Sequence, residues 1–152
     1  MSDLTERAEG RIRSDIATHG WHVIKVLPEG EHQPHSYSIG LFETFGHPEI
    51  AIVGLRGETA HAFIANIVDV IRAGHTFESG REYLDIAESF PVAFVEVPEA
   101  AYPEYFGWAM WYYQSSVFPV LQMVWPDRSG FFPWQPEFAE DLRIVQPILG
   151  SR

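Results

Sequence analysis

Residues Pro34–Leu55 read PHSYSIGLFETFGHPEIAIVGL, and this stretch decides the fold. From His35 to Phe42 small polar residues alternate with apolar ones, the period of a strand with two unlike sides. Ser36, Ser38 and Gly40 fall on one side, and Tyr37, Ile39 and Leu41 on the other. The apolar run Glu49–Leu55 reads as a further strand, joined to the first by the loop "ETFGHP".

Upstream, Trp21–Leu27 reads as a strand that ends at the turn residues Pro28-Glu29-Gly30. Before it, Asp3–Thr18 carries a narrow apolar stripe of Leu4, Ala8, Ile12 and Ile16, with Asp3 and Glu6 spaced as a capping pair. Downstream, Thr59–Ala73 is the clearest helix: Thr59 is placed to cap it, Ala60, Phe63, Ile64, Ile67, Val70 and Ile71 form its apolar face, and Gly74 is placed to end it. "TFESGREYLDI" has room for one or two short strands, Val92–Val97 and Val117–Trp125 read as strands, and the aromatic stretch from Pro98 to Gln114 reads as short helices. Asp127-Arg128-Ser129-Gly130 reads as a hairpin turn. No repeat or linker interrupts the chain. The pattern predicts one α+β domain over residues 1–152 with a mostly antiparallel sheet, which a split β-barrel would close.

A chain of 152 residues with 46% hydrophobic residues is long enough to bury one sizeable core. Net charge is −11, with one lysine, Lys25, and nine arginines, so phosphate backbones and anionic membranes are disfavoured partners. The absence of cysteine rules out disulfides, thiolate chemistry and iron–sulfur clusters. No apolar run reaches the length that spans a bilayer. The expectation is a soluble cytoplasmic protein.

Two stretches, Pro34–Leu55 and PDRSGFFPWQPEF (Pro126–Phe138), are similar to the signature regions of a bacterial domain-of-unknown-function family, number 4262. The resemblance runs from about Gly20 to Phe138, and it implies no established activity or site residues. A strand ending in small residues and Gly, followed by "HPE" and an apolar strand, also resembles the split-barrel flavin reductases over about twenty residues. That likeness implies a homodimer holding flavin mononucleotide between a barrel and its mate. The sequence lacks the Arg, Lys, Ser and Thr cluster that a flavin phosphate needs, so this second likeness speaks to fold more than to cofactor.

The residues themselves offer several candidate sites. The Ser36, Ser38 and Gly40 side is small and polar. It is read as the wall of a small-molecule pocket with His35 and His47 at the rim as acid–base groups, or as a plain solvent-facing strand side. Arg128 stands at a turn between Trp125 and Trp134. It is read as a bidentate anion-binding group on a hydrophobic floor, or as a solvated turn. The aromatic run Tyr102–Tyr113 is read as a stacking surface for a planar ligand, or as core and dimer packing. His32 and His35, like His19 and His22, are three apart, but no third ligand converges in the sequence, so no metal site is assigned. His61, near the start of the long helix, reads as a surface residue.

Three functions follow as expectations. The first is a small-molecule-binding protein, with a flavin or another planar or anionic ligand, that performs histidine acid–base chemistry. The second is an acidic, non-catalytic module that neutralises a basic partner. The third is a histidine-based metal enzyme.

Overall fold

The alternating stretch folds as the second strand of a six-stranded sheet in a computed structural model that describes residues 3–149. The elements run α1 (Asp3–His19), β1 (His22–Val26), β2 (His35–Ile39), α2 (Leu41–Phe45), β3 (Glu49–Val53), α3 (Gly57–Arg72), β4 (Glu82–Tyr83), β5 (Val92–Glu96), α4 (Tyr102–Tyr105), α5 (Gly107–Tyr113), β6 (Val120–Val124) and α6 (Glu140–Val145). A 3₁₀ turn, Glu99–Ala101, precedes α4. Strand order is β1-β2-β3-β6-β5-β4. Every neighbouring pair is antiparallel except β3 and β6, which run parallel.

The α+β reading holds, but the sheet is open and does not close into a barrel. The reason lies in the two faces. Tyr37, Ile39, Ala51 and Val120 lie on one face and pack with Ile12 and Ile16 of α1 and with the aromatics of α4 and α5. Ile50, Ile52, Phe94, Leu121 and Met123 lie on the other face and pack with Ala60, Ile64, Ile67 and Val68 of α3. A barrel hides one face of a sheet. A sheet that is apolar on both faces needs a layer of helices on each.

Three local expectations shift. β2 stops at Ile39 instead of Phe42, because Gly40 takes a left-handed φ of +110° and starts α2, which takes up the end of the expected strand and the first half of the expected loop. α3 starts at Gly57, so Thr59 is inside the helix and Arg56 is the capping position, without a side-chain cap bond. Its end is as expected: Gly74 lies at φ +100° and its N–H donates to Ile71 O. The turn at Asp127 forms, with Gly130 N–H donating to Asp127 O, but no strand follows it. Pro133 and Pro136 deny that segment a ladder. It is held instead by the Asp127 carboxylate, which accepts from the N–H groups of Ser129, Phe131 and Ala139 at 2.9–3.0 Å. Among the described residues no helix is long and apolar enough to cross a membrane.

Candidate functional site

A groove of about 920 Å³ lies against β1, the edge strand. Five consecutive residues, Trp21–Lys25, line it together with residues of both α1 and α3. The β1–β2 register explains this shape. His22 and Ile24 stand opposite Ile39 and Tyr37, on the face covered by α1, while Val23 and Lys25 stand opposite Ser38 and Ser36, on the face covered by α3. A groove that touches all five must run along the free edge of the strand, with a helix on either side.

Two elements place the polar groups of this groove. α1 ends at His19-Gly20, and the chain turns straight into β1, which brings Asp15 back over His22. Asp15 Oδ2 and His22 Nδ1 are 2.6 Å apart, so Nδ1–H donates to the carboxylate and Nε2 is the nitrogen left to meet a ligand. Both side chains are half-buried. Across the edge, His61 of α3 packs its ring against Trp21, edge to face at 5.8 Å. Burial holds the His61 imidazole below its ordinary pKa, and Lys25 and His22 add to the shift.

The groove is also where the positive charge gathers. Arg11, Lys25 and Arg72 line it. Arg72 donates to His19 O and covers the Phe45 ring, whereas Arg11 and Lys25 make no ion pair among the described residues. Of the two carboxylates present, Asp15 is committed to His22, which leaves Asp69.

The residues expected from the sequence lie elsewhere, and neither described cavity is lined by any of them. Ser36 and Ser38 are buried on the face that α3 covers, so protein fills the space their small side chains leave. Gly40 does allow a close approach: a Cβ there would lie 2.8 Å from Gly20 O and 3.1 Å from Ile16. Trp125 is buried with the α3-side cluster, and its Nε1–H donates to Val53 O. Trp134 stacks on Phe132 in a cluster on the opposite face, so the two tryptophans form no common floor. Arg128 is exposed at its turn.

The two expected rim histidines are buried. Phe77 N–H donates to His47 Nε2 at 3.0 Å, which makes Nδ1 the protonated nitrogen, and Nδ1–H donates to Pro48 O. Both nitrogens therefore serve the backbone. Burial lowers the pKa of this histidine and the Pro48 carbonyl partly offsets that. His35 Nε2 donates to Tyr105 O at 2.8 Å, and the ring stacks on Tyr37. Its Nδ1 is buried and has no hydrogen-bond partner among the described residues.

The polar residue the sequence hid best is Glu49. It is buried and accepts from Ser38 Oγ at 2.7 Å, from the N–H groups of Gly40, Leu41 and Phe42 at 3.0–3.2 Å, and from Tyr113 Oη. Glu49 is thus the cap of α2, reaching back from β3. Burial raises its pKa, while Tyr113, Ser38 and the backbone donors pull it back. The aromatic run around it is mostly packing: Tyr102 and Phe106 are buried, and Trp108, Trp111, Tyr112 and Tyr113 pack partly buried against the same cluster.

The Ser36, Ser38 and Gly40 strand that the resemblance would place against a flavin is covered by the chain itself. Among the described residues no three His, Asp or Glu side chains converge as a metal-ligand set.

The architecture is an α+β sandwich of helix layer, mixed sheet and helix layer, with a polar groove at one sheet edge. A family model described as Domain of unknown function (DUF4262) matches residues 15–139, and the chain belongs to that family. No curated protein and no solved structure gives a match.

Proposed function

We propose that this protein binds a small anionic molecule in the groove along β1 and that His22 Nε2 takes up a proton from solvent as the anion binds. The observation that carries the reading is the 2.6 Å Asp15–His22 pair on the wall of the groove. A carboxylate on one ring nitrogen fixes the tautomer and aims the other at the ligand, the arrangement a histidine base needs. The anionic preference rests on contrast. The chain carries −11 overall, yet three of its ten Lys and Arg side chains line this one groove. An anion is repelled by most of the surface and attracted here.

Titration with inorganic phosphate and with succinate, followed by amide chemical shifts, tests it. The expected result is saturable change at residues 21–25, 61 and 72, with little change at His35, His47 or Arg128. Lys25→Ala should weaken binding about tenfold, the loss of one charge-assisted contact. His22→Ala should abolish the proton uptake seen when calorimetry is repeated in buffers of different ionisation enthalpy. Shifts spread over the whole surface, or none, would refute the proposal.

A further inference from the structure

The groove is bounded on one side by a strand edge, and this sets what can occupy it. β1 is a terminal strand of five residues, and among the described residues no strand pairs with its outer side. The opposite edge, β4, has two residues and offers almost no ladder. An unpaired edge is a template for another extended chain, and proteins that do not use such an edge shorten or cover it. Here α1 and α3 rise on either side of β1 and leave a channel between them, so the edge is framed and still open. At about 920 Å³ the channel is near the upper limit of small-molecule sites.

Charge sets which chain would fit. α3 runs antiparallel to β1: Gly57 at its start touches the Lys25 side chain, and Arg72 at its end reaches His19 O. Lys25 and Arg72 therefore lie toward the two ends of β1, on the α3 side, and the five-residue strand between them spans four residue steps, about 13 Å at 3.3 Å per residue. Side chains of an added strand at positions i and i+4 point to the same side and span that distance. Arg11, on α1, adds a cation on the other side.

We infer that the groove takes an extended peptide segment, added as a seventh strand on β1, with acidic side chains at i and i+4 facing Lys25 and Arg72. This rests on the reading of the groove as an anion site and deepens it by naming the ligand. Backbone N–H and C=O groups of β1 supply affinity, and the two cations set register. Trp21 offers a partly buried apolar surface for the side chain between the two acids.

The test uses the full chain and a capped five-residue peptide with Glu at both ends and Val or Thr between. Two N-methylated versions of it block alternate edges of the same strand. The expected result is that the parent peptide binds, one N-methylated form binds as well, and the other fails by at least tenfold. Alternate amides of residues 22–26 should then gain hydrogen-exchange protection. Exchanging both Glu for Gln should cost more than tenfold. Equal binding of both N-methylated forms overturns strand addition. If phosphate and succinate bind but the peptide does not, the peptide inference fails and the anion site survives. If none of them binds, both fail.

Discussion

Two carboxylates lie near the ends of this sheet's first strands, and they differ in what is left over. Glu49 is buried and saturated: five donors from β2, α2 and α5 converge on it, and nothing of it faces solvent. Asp15 is half-exposed and pairs with His22, a residue on the wall of the groove. The first arrangement is closed on itself, so it stabilises the fold. The second spends little on structure and stays open to a ligand. Counting what remains unengaged separates the two better than burial or shifted pKa does, since Glu49 and His47 have the shifted values and no free valence.

The contrast breaks most easily at Glu49. Glu49→Ala leaves Ser38, three backbone N–H groups and Tyr113 without their acceptor, in a site water does not reach. A loss of about 3–5 kcal/mol is expected, the range for removing one partner of a buried charged set. At about 2–4 °C per kcal/mol for a chain of this size, that is a large drop in Tm by calorimetry. Anion binding by the protein that remains folded should be unchanged. Weaker binding per folded molecule would mean the two regions are coupled.

His47 comes next, with an effect of about 1–3 kcal/mol for His47→Leu, which leaves the Phe77 N–H without its acceptor. Its pH signature has a definite sign. The folded pKa lies below the unfolded value of about 6.5, so the unfolded chain binds the proton first on acidification. Stability is full above about pH 6.5 and is lost as pH falls toward the folded value, by up to about 1.4 kcal/mol per pH unit per proton. His35, also lowered by burial, adds in the same direction. Urea midpoints at pH 7.5 and 5.5 should differ in the wild type and differ less in His47→Leu. An unchanged difference would remove His47 from the account.

These features were unequally legible in the sequence. The period-2 pattern at His35–Ile39, the apolar runs at Glu49–Val53 and Val120–Val124 and the face of α3 follow from local spacing, and they give the α+β class. What spacing does not carry is partnership across the chain. The small Ser36 and Ser38 side reads as room for a ligand, but the same smallness admits α3. Leu41 and Phe42 read as strand and "ETF" as loop, because the cap of this helix, Glu49, comes eight residues after its first residue. Asp15 and His22 lie seven apart across a helix end and a turn, a spacing with no regular period, so their pairing was not visible although both ends of the turn were. One signal was available: an edge strand with the chain's one lysine, preceded by a helix whose last turns hold Asp and His.

Asp15→Ala sharpens the comparison from the other side. The pair is half-exposed, so its loss should cost less than about 1 kcal/mol. The nitrogen-15 shifts of the His22 ring should nonetheless lose the pattern of a single Nδ1–H tautomer, and proton uptake with ligand should fall. A stability loss as large as that of Glu49→Ala would make the groove pair another structural fixture and end its candidacy.

Arg128→Ala should do the least, and for that reason it decides between two places for the anion. The side chain is exposed, and the turn that carries it is held without it, by the Asp127 carboxylate and by Gly130 at φ +91°. Truncation should therefore stay within about 0.5 kcal/mol. Isolated from Trp125 and Trp134, which pack on opposite faces, Arg128 has no floor to exclude water and gains little from a bidentate contact. Phosphate and succinate affinities should match the wild type, while Lys25→Ala loses about tenfold. The reverse result, with Arg128→Ala losing the anion and Lys25→Ala keeping it, would move the site from the β1 edge to the Asp127 turn and leave the groove without a ligand.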